Sequence, residues 1–175
     1  LVLTYIAQGL VLGATASSQP GPLLAYLLSL TTSYGWRRAL PAAFAPILSD
    51  GPVLILVLLV LTTLPQAALD ALQVAGGLFL IYLAYSAFRN FRKAETIEAS
   101  AAIPARQSLF KGALVNLLSP NPYIFWATIA GPILISAWRE APRFGLGFLL
   151  GFYAALVGGF VVFVVIFALT GKLDS

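Results

Sequence analysis

The chain has 175 residues, of which 60% are hydrophobic and only 9% charged, with a mean hydropathy of +0.94. Soluble domains carry roughly 25% charged residues, so this composition excludes a soluble monomer and specifies a polytopic membrane protein. The absence of Cys and His excludes disulfides, thiolate metal sites and imidazole bases.

About 20 apolar residues are needed per crossing, and five apolar stretches follow in order. The first runs from about Leu1 to Leu30 and is interrupted at Gln19-Pro20-Gly21-Pro22. A loop, Ser33 to Arg38, leads to the second, about Ala39 to Leu64, which contains Asp50. A turn from Pro65 to Asp70, with Asp70 as a helix cap, precedes the third, about Ala71 to Phe88. Residues 89–111 form the longest polar segment. The fourth stretch, about Gly112 to Ala137, is interrupted at Ser119-Pro120-Asn121-Pro122, and the fifth covers about Phe144 to Leu169.

The net charge of +4 sits in the loops, so it reads as an orientation signal and not as a nucleic-acid surface. Alternate loops share a side. That places Arg37, Arg38, Arg89, Arg92, Lys93, Arg106, Lys111 and Lys172 together, against Arg139 and Arg143 on the other face. The loop 89–111 is therefore expected in the cytoplasm and the N-terminus outside.

Two segments recur about one hundred residues apart. Pro20-Gly21-Pro22 answers to Pro120-Asn121-Pro122, and the segment from Ser49 to Thr62 answers to that from Val157 to Thr170. The expected fold is all-α, an inverted repeat of three transmembrane helices. Residues 1–88 form the first repeat, 89–111 the cytoplasmic loop and 112–175 an incomplete second repeat. On that plan the chain lacks its sixth helix, which would follow Ser175, and the initial Leu1 marks a trimmed start.

A proline inside a spanning helix removes one donor and frees backbone carbonyls, which hydrocarbon tolerates only beside protein or a wet cavity. Two half-helix N-termini near the midplane would suit a carboxylate. Gln19, Asn116 and Asn121, with the freed carbonyls, would receive an ammonium group. The same Pro-x-Pro pattern is also read as a plain kink. Asp50 is the only ionisable side chain deep inside a span, where a charge costs about 3 kcal/mol. It is expected to face the interior as an ammonium partner or a proton carrier, with a cap at a Gly51-Pro52 break as the structural alternative.

Gly9…Gly13 and Gly147…Gly151 have GxxxG spacing, and Gly76-Gly77 and Gly158-Gly159 are read with them as helix-packing sites. Tyr82, Tyr85 and Phe88 suit an interfacial belt. Tyr123 and Trp126 follow the second break on one helical face, where lining a cavity and simple packing are equally open. Ser17 and Ser18 have no base in view, so the chain is not read as an enzyme, and no cofactor or metal site is expected.

Gly9 through Pro22 (GLVLGATASSQPGP), the Ser49-Asp50 step, Gly77 through Tyr85 (GLFLIYLAY) and Gly112 through Pro122 (GALVNLLSPNP) together resemble the lysine-exporter (LysE) family of amino-acid translocators. The resemblance covers essentially the whole chain. It implies a small bacterial inner-membrane protein with six hydrophobic segments, exporting amino acids with the proton motive force. The family pattern carries over to Pro20, Gly21 and Pro22 and to Asn116, Asn121 and Pro122. Tyr123 stands where many members have Lys, which leaves substrate preference open.

The expected function is that of an amino-acid or small-amine exporter. Gln19, Pro20, Gly21, Pro22, Asn116, Asn121, Pro122 and Tyr123 bind substrate, and Asp50 couples protons or binds the ammonium. The expected partners are an amino acid, protons and the lipid bilayer, with a second copy of the chain allowed. A divalent cation exporter of related architecture and a non-transporting membrane scaffold are the alternatives. A cation site would draw on several membrane carboxylates, and Asp50 stands alone.

Overall fold

The computed structural model describes residues 1–61, Pro65, Ala67 and 104–170. The third apolar stretch, the Asp70 cap, Gly76-Gly77, the aromatic group Tyr82, Tyr85 and Phe88, and most of the 89–111 loop lie outside the described residues. What is described is helical and contains no strand. Helix α1 spans Val2–Ser18 and α2 spans Pro22–Tyr34. A short α3, Trp36–Ala39, passes through a 3-10 turn, Leu40–Phe44, into α4, Ala45–Leu61. After the undescribed segment come α5, Ala105–Leu118, and α6, Pro120–Phe125. A π turn, Trp126–Ala130, leads to α7, Gly131–Glu140, and α8 is Pro142–Thr170.

Several boundaries move relative to the sequence expectation. The loop at 33–38 shrinks to Gly35, whose φ of 82° is the left-handed conformation that glycine supplies at a helix end. Its N–H donates to the Thr31 carbonyl at 3.0 Å. Helix α5 begins inside the segment read as polar loop. Pro104 at its N-cap has an extended ψ of 146° that starts the helix there, and Arg106 and Lys111 stay exposed on it. Pro52 lies inside α4 without ending it, so Asp50 caps no break.

Contacts between named residues give the helix directions. Tyr5 near the start of α1 donates to Glu140 Oε1 at the end of α7, at 2.8 Å, and stacks on Phe144 at the start of α8. At the other end of the bundle, Ser108 of α5 donates to the Arg38 carbonyl at 2.9 Å, and Tyr26 of α2 donates to the Ser108 carbonyl at 3.3 Å. Thus α1 followed by α2 runs from the Glu140 end to the Arg38 end, and α5 through α7 runs back the opposite way. Helix α4 leaves the Arg38 end, and α8 leaves the Glu140 end.

The tightest packing joins α1 to α8, side by side in parallel. A Cβ built on Gly9 would fall on the Phe148 carbonyl, one on Gly13 on the Phe152 carbonyl, and one on Gly151 on the Ile6 carbonyl. The two small-residue motifs therefore face each other, letting the backbones approach as closely as such spacing permits. Helix α8 buries Phe148, Phe152, Leu156, Phe160 and Val164 as one stripe at four-residue spacing. Its other faces are equally apolar yet exposed, with Leu150 72% and Val162 55% exposed. Trp36–Val57 and Pro142–Leu169 are long and apolar enough to cross a membrane, and apolar side chains this large and continuous need lipid around them.

Candidate functional site

Both interruptions arise from the same local rule. A residue preceding proline is pushed out of the helical region by the proline ring. Gln19, before Pro20, accordingly takes φ −70°, ψ 127°, and Ser119, before Pro120, takes φ −77°, ψ 138°. Each following helix starts with proline at its first position, Pro22 in α2 and Pro120 in α6, where no N–H is needed. The two breaks, one hundred residues apart in sequence, meet in space. A Cβ on Gly21 would lie 3.2 Å from Asn121 Nδ2, so the absence of a side chain at 21 is what lets them approach.

The breaks differ in what they leave unpaired. Ala25 N–H, donating to the Gly21 carbonyl at 3.0 Å, opens the α2 ladder, so the N–H groups of Leu23 and Leu24 precede it. In α6, Pro120 and Pro122 have no N–H, and Asn121 N–H donates to Ser119 Oγ at 3.4 Å. The expectation of free backbone donors at both breaks therefore needs correction at the second, because its prolines and its serine cap use them up.

Asp50 lies on α4 beside the two breaks and is 3% exposed. Asn116 Nδ2 of α5 donates to its Oδ1 at 2.9 Å and also approaches Ser49 Oγ at 2.7 Å. Its Oδ2 accepts from Trp126 Nε1 at 3.3 Å and from the Tyr153 hydroxyl of α8 at 3.4 Å. Helices α5 and α8 and the π turn thus hold the carboxylate of α4, and these three donors are neutral. A buried charge requires such compensation. The π turn has its own cause. Pro132 offers no N–H to the carbonyl four residues back, and Gly131 N–H bonds instead to the Trp126 carbonyl five residues back. That widened turn carries Trp126 toward Asp50, where its indole rests on Phe152 with ring centroids 5.0 Å apart.

These groups surround a cavity of about 580 Å³, its open mouth included. Of the residues expected to bind substrate, Gln19, Gly21, Pro22, Asn116, Asn121 and Pro122 line it, and so does Asp50. Pro20 and Tyr123 are not part of the lining. Pro20 is exposed, and the Tyr123 hydroxyl turns back to donate to the Leu117 carbonyl at 2.9 Å. Tyr123 and Trp126, which share a face by helical spacing, are separated in role: Trp126 reaches Asp50 and Tyr123 ties off the end of α5. The Nε2 of Gln19 is buried with no hydrogen-bond partner among the described residues.

The residues missed by the sequence reading are Phe125, Phe152, Leu156 and Phe160 in the wall and Tyr153 on the carboxylate. The four-residue spacing of Phe148, Phe152, Leu156 and Phe160 was available as a buried stripe. Tyr153 carried no comparable signal, since a lone tyrosine in an apolar span has many uses.

Compared with known proteins, residues 14–174 match the family model described as LysE type translocator. No curated protein and no solved structure matches the chain significantly. The match covers most of the chain, and the fold agrees with it: apolar helices too long and too exposed for water, broken around an internal polar cavity. The chain belongs to the LysE-type translocator family of membrane transporters, exporters of amino acids or related small molecules and not enzymes.

Proposed function

We propose that the chain exports amino acids or similar small amines across the bacterial inner membrane, driven by the proton motive force, with the cavity between the two breaks as the binding site. The observation that carries this reading is the convergence of both Pro-x-Pro breaks and the buried carboxylate of Asp50 on one cavity. Nothing in local helix formation requires that convergence, and it costs each broken helix a turn of hydrogen bonds. A transporter needs such a site, able to desolvate a polar cargo and release it again.

The two broken spans run in opposite directions, each followed by a continuous helix. That arrangement supports the inverted three-helix repeat, whose two copies would rock against each other to open the cavity alternately to either side. Arg37, Arg38 and Arg106 gather at one end of the bundle, supporting a cytoplasmic placement of that end and of the 89–111 segment. Asp50 takes the role of exchanging a proton for the ammonium group of the cargo. Divalent cation export is disfavoured by the cavity chemistry. Among the described residues the cavity offers a single carboxylate, and no three potential metal ligands of the His, Cys, Asp or Glu type gather.

The test uses a bacterium lacking its own exporters, fed dipeptides, with amino acids in the medium followed over time. Expression of the chain should release one amino acid or a few related ones, and a protonophore should stop the release. Asp50→Asn keeps the shape but removes the charge. It should lower export on the order of a hundredfold, as expected when a charge-assisted contact to cargo is lost, while the protein still inserts. Undiminished export by a properly inserted Asp50→Asn protein would sink the role given to Asp50.

A further inference from the structure

We infer that the cargo is a neutral amino acid with an apolar side chain, of the leucine or phenylalanine type, and that Gln19 receives its carboxylate. This deepens the export reading above and rests on it. The described lining mixes polar and apolar groups. Gln19, Asp50, Asn116, Ser119 and Asn121 bring polar atoms from the end of α1, from α4, from α5 and from the second break, among apolar residues such as Ala16, Leu23, Leu24 and Trp126. Helix α8 contributes only Phe152, Leu156 and Phe160, spaced four residues apart along about 12 Å of helix. Phe125 extends that apolar surface.

Among the described residues, the charge in the lining is one carboxylate, that of Asp50, and the lining holds no Lys or Arg. It can neutralise one ammonium group. The cargo's carboxylate must then be met by neutral donors. Gln19 Nε2 is a buried donor without an acceptor among the described residues, an arrangement that costs free energy until an acceptor arrives. Asn121 Nδ2 is presented on the facing break, beside Gly21. With both ends of the zwitterion held by the polar groups, the side chain is left to the apolar lining, to which α8 gives Phe152, Leu156 and Phe160. There a methyl or phenyl group gains by burial. A second ammonium or carboxylate would be desolvated without a partner.

The experiment reconstitutes the full chain in liposomes and follows counterflow of labelled leucine against unlabelled leucine, phenylalanine, lysine, glutamate and leucinamide. Leucine and phenylalanine should compete, and lysine and glutamate should be weaker on the order of a hundredfold, the penalty for an unpaired charge. Leucinamide, which has no carboxylate, should be weaker than leucine by about tenfold, one charge-assisted hydrogen bond. In Gln19→Glu that order should reverse, because a carboxylate replaces the donor. Leu156→Asp supplies a partner for a side-chain ammonium and should admit lysine. Lysine or glutamate matching leucine in the unaltered protein overturns the side-chain assignment while export of amino acids stands. Leucinamide matching leucine overturns the role of Gln19. No counterflow of any of these amino acids, with each labelled in turn against itself, overturns the export reading itself, and this inference with it.

Discussion

The break between α1 and α2 and the break between α5 and α6 carry the same Pro-x-Pro pattern, yet the structure gives them different chemistry. At the first, Gly21 has no side-chain cap and the N–H groups of Leu23 and Leu24 lie ahead of the helical ladder. At the second, two prolines have no N–H and Ser119 caps the one remaining between them. The first break therefore offers backbone donors and a Gln19 Nε2 that has no partner among the described residues, while the second is satisfied along its backbone and offers the side chain of Asn121. A repeated motif fixes where a helix is interrupted. Which of its groups remain free for a ligand depends on which proline starts the helix, Pro22 at the first break and Pro120 at the second, and on the residue before the motif.

Among changes at the breaks themselves, the largest effect should come from forcing them apart. Gly21→Val places branched carbon where Asn121 Nδ2 is 3.2 Å from an added Cβ. Export should fall about tenfold or more, the usual result of overpacking a closed contact. Because the two residues touch, adding Asn121→Ala should not lower export further by its own separate amount. Strictly additive losses in the efflux assay would mean that the breaks act independently.

A smaller effect is expected at the second cap. Ser119→Ala removes the acceptor of Asn121 N–H and should cost about 1 kcal/mol of stability. It would be read as a lower Tm in detergent, with transport changed less than about threefold. Export collapsing while Tm holds would give Ser119 a part in cargo binding instead. The smallest effect belongs to Tyr123→Phe, which removes one hydrogen bond to the Leu117 carbonyl, about 1 kcal/mol. The range of amino acids exported should stay the same. A changed range would return Tyr123 to the cavity wall.

What the sequence by itself determined follows from rules that act within a single apolar stretch, from neighbouring residues up to about 20. The extended conformations of Gln19 and Ser119 come from steric contact with the next proline. The close faces of α1 and α8 come from glycine spacing, and the membrane setting comes from hydropathy. Asp50 stood out because a lone carboxylate in a span must find partners somewhere.

Its partners could not be read the same way. Asn116, Trp126 and Tyr153 come from three different elements, 66, 76 and 103 positions away. They converge only because α4 and α5 run parallel from the Arg38 end while α8 arrives from the opposite one. The division between Trp126 and Tyr123 likewise depended on a π turn that moved one ring toward Asp50 and left the other behind. Tertiary structure decided these points because direction and register set which side chains meet, and neither is encoded in any window as short as a helical turn.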